Sequence, residues 1–238
     1  MARYDNLIIV LSETMNQPPY KLSPSDFAYL YEECKCCYYL KIKHGIVRPS
    51  LPFPAVFGAI NTRIQGTLIG KNLQELSPNL PEGLVESQEK FVESKVIPGT
   101  NLFIKGKYDL LVKQADGTYI VVDFKITSPN DDKIAKYQTQ LQAYHYAFEF
   151  SEKGESKEVS KLGLVVVYPD RVKFAKGEAF LSFPPKWLEV ELKRDSFLKF
   201  MKEVNDLLEG PIPPENPDCK WCEFRHHGEK YAHLFNDK

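Results

Sequence analysis

Two strand-like segments joined by a short glycine-containing turn constrain this sequence more than any other feature. Residues 102–113 and 118–127 are rich in β-branched and aromatic side chains, and residues 114–117 between them read Gln-Ala-Asp-Gly. Such segments, separated by a short loop that contains glycine, predict an antiparallel hairpin. The hairpin carries one acid on each strand, Asp109 on the first and Asp123 on the second.

The length of the turn decides whether these two acids can cooperate. A two-residue loop would pair Asp109 with Phe124 and put Asp123 on the opposite face of the sheet, because side chains alternate along a strand. A three-residue loop that ends with Gly117 in the left-handed conformation pairs Asp109 directly with Asp123. We expect the second register, which directs both carboxylates and Lys125 to one face.

The chemistry of these three side chains favours metal-dependent hydrolysis. Two facing carboxylates repel each other unless a cation lies between them, and Mg²⁺ is suited to one or two carboxylates plus water and phosphate oxygens. An ammonium such as Lys125 can orient a water molecule and offset the charge that develops on a phosphate. The alternative is a solvated strand pair with a salt bridge, which is commoner for charged residues but is disfavoured by the apolar neighbours here.

The flanking sequence predicts helices and strands around the hairpin. Apolar spacing predicts helices near residues 23–40, 56–71, 133–150 and 193–208, and strands near residues 91–97, 161–169 and 174–183. The strand at 91–97 and the two hairpin strands are expected to form a meander, and residues 77–90 are expected to be irregular. On the third helix, Gln140 and Tyr144 are one turn apart and can lean over the same site.

The segments GKYDLLV, VVDFK and QLQAY together resemble the motif series of the RecB-like branch of the PD-(D/E)XK nucleases. That branch includes CRISPR-associated members and helicase-linked exonuclease domains. The resemblance spans most of residues 23–170 and implies an α/β, restriction-endonuclease-like core of order αβββαβ. It also implies a mixed central sheet flanked by helices, a helical N-terminal cap and a cysteine-clamped C-terminal tail.

The resemblance also implies how the chain is organised and what it binds. We expect one nuclease domain over residues 1–238, divided into an N-terminal helical region at 20–75, a catalytic sheet core at 90–183 and a C-terminal helix and tail at 190–238. The implied substrate is DNA, as single strands or duplex ends. The implied partners are a helicase or a CRISPR or repair protein.

Matching positions carry the implied roles. By resemblance, Asp109 and Asp123 bind Mg²⁺ or Mn²⁺, Lys125 is catalytic, and Gln140 and Tyr144 support the site. The intact acids and lysine favour a DNA-cleaving enzyme.

The second helix departs from the RecB-like pattern, which usually has a histidine where this chain has Asn61. A metal could still use the carbonyl oxygen of Asn61, but that group is a poorer ligand and cannot exchange protons. Two alternatives therefore stay open. One is a weakly active or inactive nucleic-acid-binding module of the same fold, and the other is an RNA-directed nuclease.

Five cysteines fall into two groups at distant points of the sequence. Cys34 and Cys37 form one i, i+3 pair and Cys219 and Cys222 form another, whereas Cys36 falls off the face of the first pair. Because the sequence shows no export signal, two CxxC pairs favour a four-thiolate metal site over disulfides. The spacing alone leaves Zn²⁺ and an iron–sulfur cluster open.

The resemblance favours a 4Fe-4S cluster at this cysteine site. RecB-like nucleases with such a clamp typically use one cysteine near the N-terminal helix and three near the C-terminus, whereas this chain divides its cysteines two and two. Zn²⁺ is therefore the alternative, and His226 or His227 could replace a thiolate. With either metal, the site is expected to tie the first helix to the tail across a long loop.

Charge and hydropathy exclude two other classes of function. The 31 basic and 32 acidic residues give no global basic field, so any nucleic-acid contact must be local. The apolar run at 7–11 is too short for a membrane span and lacks the features of a signal peptide. We expect a soluble, cytoplasmic protein with no membrane partner.

Overall fold

The computed structural model describes residues 18–49, 54–128 and 132–235, so the apolar run at 7–11 lies outside the described residues. The strands are β1 (Tyr20–Leu22), β2 (Leu84–Gln88), β3 (Phe91–Glu93), β4 (Leu102–Lys107), β5 (Leu110–Lys113), β6 (Tyr119–Ile126), β7 (Val159–Val167), β8 (Arg171–Ala175), β9 (Glu178–Ser182) and β10 (Pro185–Val190). Across these ranges, no helix combines the length and apolar character needed to cross a membrane.

The helical segments surround these strands. They are α1 (Pro24–Asp26, continued as a π-helical turn at Phe27–Tyr31), α2 (Lys35–His44), α3 (Ala55–Gly66), α4 (Asp132–Glu149), α5 (Arg194–Glu209) and α6 (Lys220–Lys230). Short 3₁₀ turns lie at Leu73–Glu75 and Ala232–Phe235. The predicted helices other than the first agree with α3, α4 and α5 to within a few residues.

The central sheet has five strands in the order β10-β7-β6-β5-β2. Strands β6 and β7 are parallel, and the other neighbours are antiparallel. A parallel pair needs a crossover connection, which helix α4 provides here. The mixed α/β fold class predicted from the sequence is confirmed.

Both faces of the central sheet are buried. Alternate residues of β5, β6 and β7 enter two apolar clusters, and Asp123 points to the same side of β6 as Val121. The cluster on that side includes residues of α4 and α5, whereas the opposite cluster contains Leu68 and Leu73. Burial on both sides explains the continuous apolar run predicted as a strand at 161–169.

The predicted single strand at 102–113 is wrong in one respect, because it bends at Asp109. Strand β4 belongs to a three-stranded sheet of order β1-β4-β3, whereas β5 belongs to the central sheet. The bend is shared by the partner strand, where Glu89 has a positive φ of 46° and donates its N–H to the Asp109 carbonyl at 2.9 Å. Strands β2–β3 and β4–β5 therefore form one long hairpin that is folded over at Asp109.

Three further differences concern strands. The stretch at 77–90, predicted as irregular, contains β2, and the predicted strand at 91–97 ends at Glu93. The stretch at 174–183 is part of a hairpin, β8–β9, that turns at Lys176 and Gly177. Both of these residues have positive φ, as a tight type I′ turn requires.

The first predicted helix, at 23–40, is interrupted. Segment α1 ends at Tyr31, and Cys34 has an extended backbone that caps α2, with its sulfur accepting the N–H of Cys37 at 3.5 Å. Cys34 therefore precedes a helix instead of lying within one. Helix α6, which begins directly after Cys219, was not predicted.

Candidate active site and cysteine centre

The pairing of β5 with β6 gives the predicted register. Leu110 pairs with Val122, so Asp109 immediately before β5 faces Asp123 on β6. Gly117 in the connecting turn has a φ of 89°, as the three-residue loop requires. Both acids therefore lie on the face of the sheet that α4 covers.

Each acid is held by a different set of donors. One carboxylate oxygen of Asp109 accepts the backbone N–H of Phe124 at 2.7 Å. The Oδ1 atom of Asp123 accepts a hydrogen bond from Gln140 Nε2 at 2.9 Å, and its Oδ2 lies 2.8 Å from Lys125 Nζ. These contacts fix the orientation of both carboxylates relative to the lysine.

Helix α4 covers the face of the sheet on which the two acids lie. The hydroxyl of Tyr144 donates to the carbonyl oxygen of Lys107 at 2.6 Å, which ties the helix to the end of β4. All five residues predicted as catalytic, Asp109, Asp123, Lys125, Gln140 and Tyr144, line one cavity of about 420 Å³. The structure thus brings these five side chains together, whereas Asn61 does not line this cavity.

The charges of Asp109, Asp123 and Lys125 do not balance. Burial and the neighbouring charge of Asp123 raise the pKa of Asp109 to about 7. Burial also raises the pKa of Asp123, against the opposing effect of Lys125. Burial lowers the pKa of Lys125, but the two carboxylates outweigh it, so the net direction is upward. Lys125 is therefore an ammonium, and one ammonium compensates only one of the two carboxylates.

The donor set fits a hard divalent cation. Two facing carboxylates supply oxygen ligands, and Gln140 Oε1 is a buried oxygen with no hydrogen-bond partner among the described residues. Mg²⁺ and Mn²⁺ favour oxygen ligands of this kind together with water and phosphate oxygens. Asp109 and Asp123 are the residues that would hold the ion.

Asn61 lies on the far side of Asp109. It lines a second cavity of about 450 Å³, which shares Asp109 and Lys125 with the first. The carbonyl oxygen of Asn61 accepts a hydrogen bond from Gln65 Nε2 at 2.8 Å. To serve as the predicted metal ligand, that oxygen would have to use its remaining lone pair.

Sequence reasoning missed Tyr137, which contacts the lysine, and Tyr29, which contacts Tyr137. The ammonium of Lys125 lies 4.6 Å from the ring centroid of Tyr137, a cation–π distance, and the Tyr137 hydroxyl is 2.7 Å from that of Tyr29. Tyr137 precedes Gln140 by three residues and Tyr144 by seven. That i, i+3, i+7 spacing on one helix face is the signal that could have identified it.

The two cysteine pairs meet although 182 to 188 residues separate the contacting members. The sulfur of Cys37 lies 3.7 Å from that of Cys219 and 3.6 Å from that of Cys222, and Cys34 lies 3.7 Å from Cys222. All four thiols are buried, and none is in a disulfide. Sulfurs bound at about 2.3 Å to one tetrahedral ion are about 3.8 Å apart, so this group fits a metal centre.

Histidine substitution for a thiolate finds no support in this arrangement. His226 contacts Glu215 at 2.6 Å and Glu229 at 3.1 Å, and His227 contacts the backbone of Glu223. Neither ring belongs to the group of potential ligands around the four cysteines. Both histidines are instead exposed on α6.

The surroundings of the four sulfurs are cationic. Arg48 donates to the Cys219 sulfur at 3.2 Å and also pairs with Glu33 at 2.6 Å. A nearby guanidinium stabilises thiolates, which are the form that binds metal.

Cys36 stays outside the set of four, as expected, but it is buried near Cys222 and Glu215.

This chain is similar to proteins of a known superfamily. A model of the PD-(D/E)XK nuclease superfamily matches residues 62–227, more than half of the chain. A solved structure titled "Crystal structure of SSO0001" is similar, with 17% sequence identity, coverage of 93% of this chain and 91% of that chain, and a TM-score of 0.48. A search of curated proteins gave no significant match. The extent of the family match shows that this chain belongs to the PD-(D/E)XK nuclease superfamily.

Proposed function

We propose that this protein is a nuclease that hydrolyses DNA phosphodiester bonds with Mg²⁺ or Mn²⁺. The observation that carries the proposal is the convergence of Asp109, Asp123 and Lys125 on one cavity, where a partly buried and a buried carboxylate face each other beside the ammonium of Lys125. Members of the superfamily are generally hydrolytic nucleases. The cavity offers negative charge to a cation and positive charge to a phosphate.

The residues of the chain divide the work of such a reaction. A bound divalent ion would supply Lewis-acid polarisation of a phosphoryl oxygen. Gln140 donates a hydrogen bond to Oδ1 of Asp123, and the backbone N–H of Phe124 donates to Asp109, so the orientation of each carboxylate is fixed. Lys125, held beside Asp123 and the ring of Tyr137, can donate to the phosphate or to the attacking water.

The test is cleavage of labelled single- and double-stranded DNA and RNA with and without Mn²⁺. Asp123→Asn and Lys125→Ala are each expected to lower the rate constant by about 100-fold or more, because each removes charge stabilisation at the reacting phosphate. Lys113→Ala, on the exposed end of β5, is the matched control and should retain activity. Equal rates in the wild type and both site variants would overturn the proposal.

The motif series GKYDLLV, VVDFK and QLQAY supports placement in the RecB-like branch. On that basis we propose DNA rather than RNA as the substrate, and a helicase, CRISPR or repair protein as the partner. Faster cleavage of RNA than of DNA in the same assay would contradict the choice of substrate.

We also propose that the four cysteines hold a structural metal centre. Their sulfur spacing suits a single tetrahedral ion such as Zn²⁺, whereas the resemblance favours a 4Fe-4S cluster, which would require the sulfurs to lie further apart. Metal analysis and the visible absorption spectrum of anaerobically purified protein distinguish the two. A colourless protein with neither iron nor zinc would contradict both assignments.

A further inference from the structure

The cavity that contains the two acids continues into a neighbouring cavity. Phe91 and Lys105 line both the 420 Å³ site cavity and an adjoining cavity of about 550 Å³. On the opposite side, Asp109 and Lys125 are shared with the cavity that contains Asn61. Cavities that share lining residues are adjacent, so these three cavities form one row, here called the groove, in which Phe91 borders both the site cavity and its neighbour.

Phe91 presents an exposed aromatic ring in this groove. The residue is 72% exposed, although large apolar residues are usually buried. Its backbone is held in β3 by pairing with Lys107 on β4, so the point from which the ring projects is set by the sheet. An exposed ring on a rigid strand is the type of platform on which a nucleobase stacks.

The lining of the groove contains more lysines than acids, and two of these lysines, Lys107 and Lys157, pair with Glu89 and Glu86 outside the lining. The two cavities that meet at Phe91 are lined by six lysines and four acids, namely Lys21, Lys105, Lys107, Lys125, Lys153 and Lys157 against Glu93, Asp109, Asp123 and Glu155. Lys105 and Lys153 both pair with Glu93, at 2.8 and 3.1 Å. One carboxylate compensates two ammonium groups there, so a positive charge beside Phe91 is available to a phosphate.

We propose that Phe91, Lys105 and Lys153 form a nucleotide subsite that stacks an unpaired base and binds its phosphate next to the scissile position. This inference rests on the proposed nuclease function and narrows its substrate. A paired base inside a duplex is covered on both faces, so it cannot lie on Phe91 unless it is first unstacked. The substrate is therefore a strand that is unpaired beside the cleaved bond.

Binding of a labelled oligothymidylate, measured by fluorescence anisotropy with Ca²⁺ in place of Mn²⁺, tests the subsite. Phe91→Ala should weaken binding about tenfold, which corresponds to about 1.4 kcal/mol. Phe91→Trp should retain binding, whereas Phe91→Leu should not, because leucine keeps apolar area but has no aromatic face. Phe174→Ala is the matched control, since Phe174 is 80% exposed on β8 and lines neither cavity.

Abasic substitutions in the oligonucleotide locate the stacked base. In the wild type, one abasic position should weaken binding more than the others, and in Phe91→Ala that position should no longer matter. Additive effects of the abasic position and of Phe91→Ala, or full binding by Phe91→Leu, would overturn the subsite. So would failure of the wild type to bind the oligonucleotide.

The same measurements separate this inference from the proposed function. If the abasic effect is lost in Phe91→Ala but the wild type does not cleave in Mn²⁺, the nuclease assignment is wrong and the subsite is supported. If the wild type cleaves but Phe91→Ala keeps the abasic effect, the subsite is wrong and the nuclease assignment is supported.

Discussion

Asp109 combines a structural and a chemical role at a single residue. Its carbonyl accepts the N–H of Glu89 at the bend of the long hairpin, and its carboxylate accepts the N–H of Phe124. The register of β5 with β6 brings it opposite Asp123, where burial and like charge oppose ionisation. A group held in this way costs the fold stability, and a bound cation recovers it.

Replacing Asp109 with asparagine should therefore stabilise the metal-free protein at alkaline pH. The folded-state pKa of about 7 lies above the unfolded value of about 3.9, so the wild type loses stability as pH rises between these values. Asp109→Asn removes this loss and should gain up to about 4 kcal/mol at pH 8 but nothing near pH 4. Urea unfolding in EDTA at both pH values measures the effect.

The control for that experiment is Asp116→Asn in the exposed turn. Hydrogen bonds from Thr118 lower the pKa of Asp116, so its replacement should not stabilise the protein at pH 8. A gain for Asp109→Asn that is the same at both pH values would contradict the explanation.

Gln140 should matter for metal affinity more than for stability. Gln140→Leu removes the donor to Asp123 and leaves that carboxylate free to turn, so the affinity for Mn²⁺ should fall by about 10- to 100-fold. Gln142→Leu on the same helix is the control, because Gln142 is also buried but bonds the backbone of Glu191 and Lys193. Calorimetric titration of Mn²⁺ measures both variants. Equal losses of affinity would point to a general effect on α4.

For single residues, the sequence predicted only those contacts that depend on local strand geometry. The facing of Asp109 and Asp123 follows from strand alternation and one glycine, and both are visible in the sequence. The contact of Lys125 with Tyr137 depends on how α4 crosses the sheet, which no short pattern encodes. The separation of Asn61 from Asp123 similarly depends on the packing of α3.

At the scale of elements, strand β7 packs closely against an aromatic ring on the neighbouring strand β10. Gly163 lies beneath the ring of Trp187 on the neighbouring strand β10. A Cβ atom at Gly163 would lie 2.2 Å from the edge of that ring, which is closer than any real contact. The absence of a side chain at this position therefore allows β10 to pair with β7.

Gly163→Ala is expected to destabilise the protein by about 1–3 kcal/mol, because the indole must move or β10 must separate. In a Trp187→Leu background the same change should cost much less, since the smaller side chain leaves room. Urea unfolding of the two single variants and the double variant measures this coupling. An equal cost in both backgrounds would exclude the ring as the cause.

Elements with one environment along their length were predictable, and elements that change environment were not. Helix α4 packs on one core along its length, and strand β7 is buried on both faces along its length, so the sequence pattern of each is uninterrupted. The strand predicted at 102–113 keeps its alternation across the bend at Asp109, because both sheets bury alternate residues, and the bend is invisible. The turn of β8–β9 was missed because Lys176 is not one of the usual residues with positive φ.

For the whole molecule, a metal held by the four cysteines would cross-link distant parts of the chain. It would join the beginning of α2 to the beginning of α6, and the central sheet lies between them in sequence. Closing so long a loop restricts the unfolded chain more than the folded one. The two CxxC pairs in the sequence predicted the four-cysteine site. The interruption between α1 and α2, which orients Cys34, was not predicted.

Cys219→Ser should lower metal content and the melting temperature together, by several degrees for a loss of about 2 kcal/mol. Cys36→Ser is the control and should leave the metal content unchanged, because Cys36 lies outside the four-sulfur group. Metal analysis and thermal unfolding of both proteins check this. Full metal content in Cys219→Ser would show that the thiolates do not bind it.

The separation of the two cysteine pairs also sets an order of events during synthesis. The first pair leaves the ribosome long before the second, because Cys34 and Cys222 are 188 residues apart. At translation rates of about 5–20 residues per second, the early thiols wait for roughly ten seconds or more without their partners. A nascent chain in an oxidising environment is therefore exposed to mispairing of its neighbouring thiols throughout that interval.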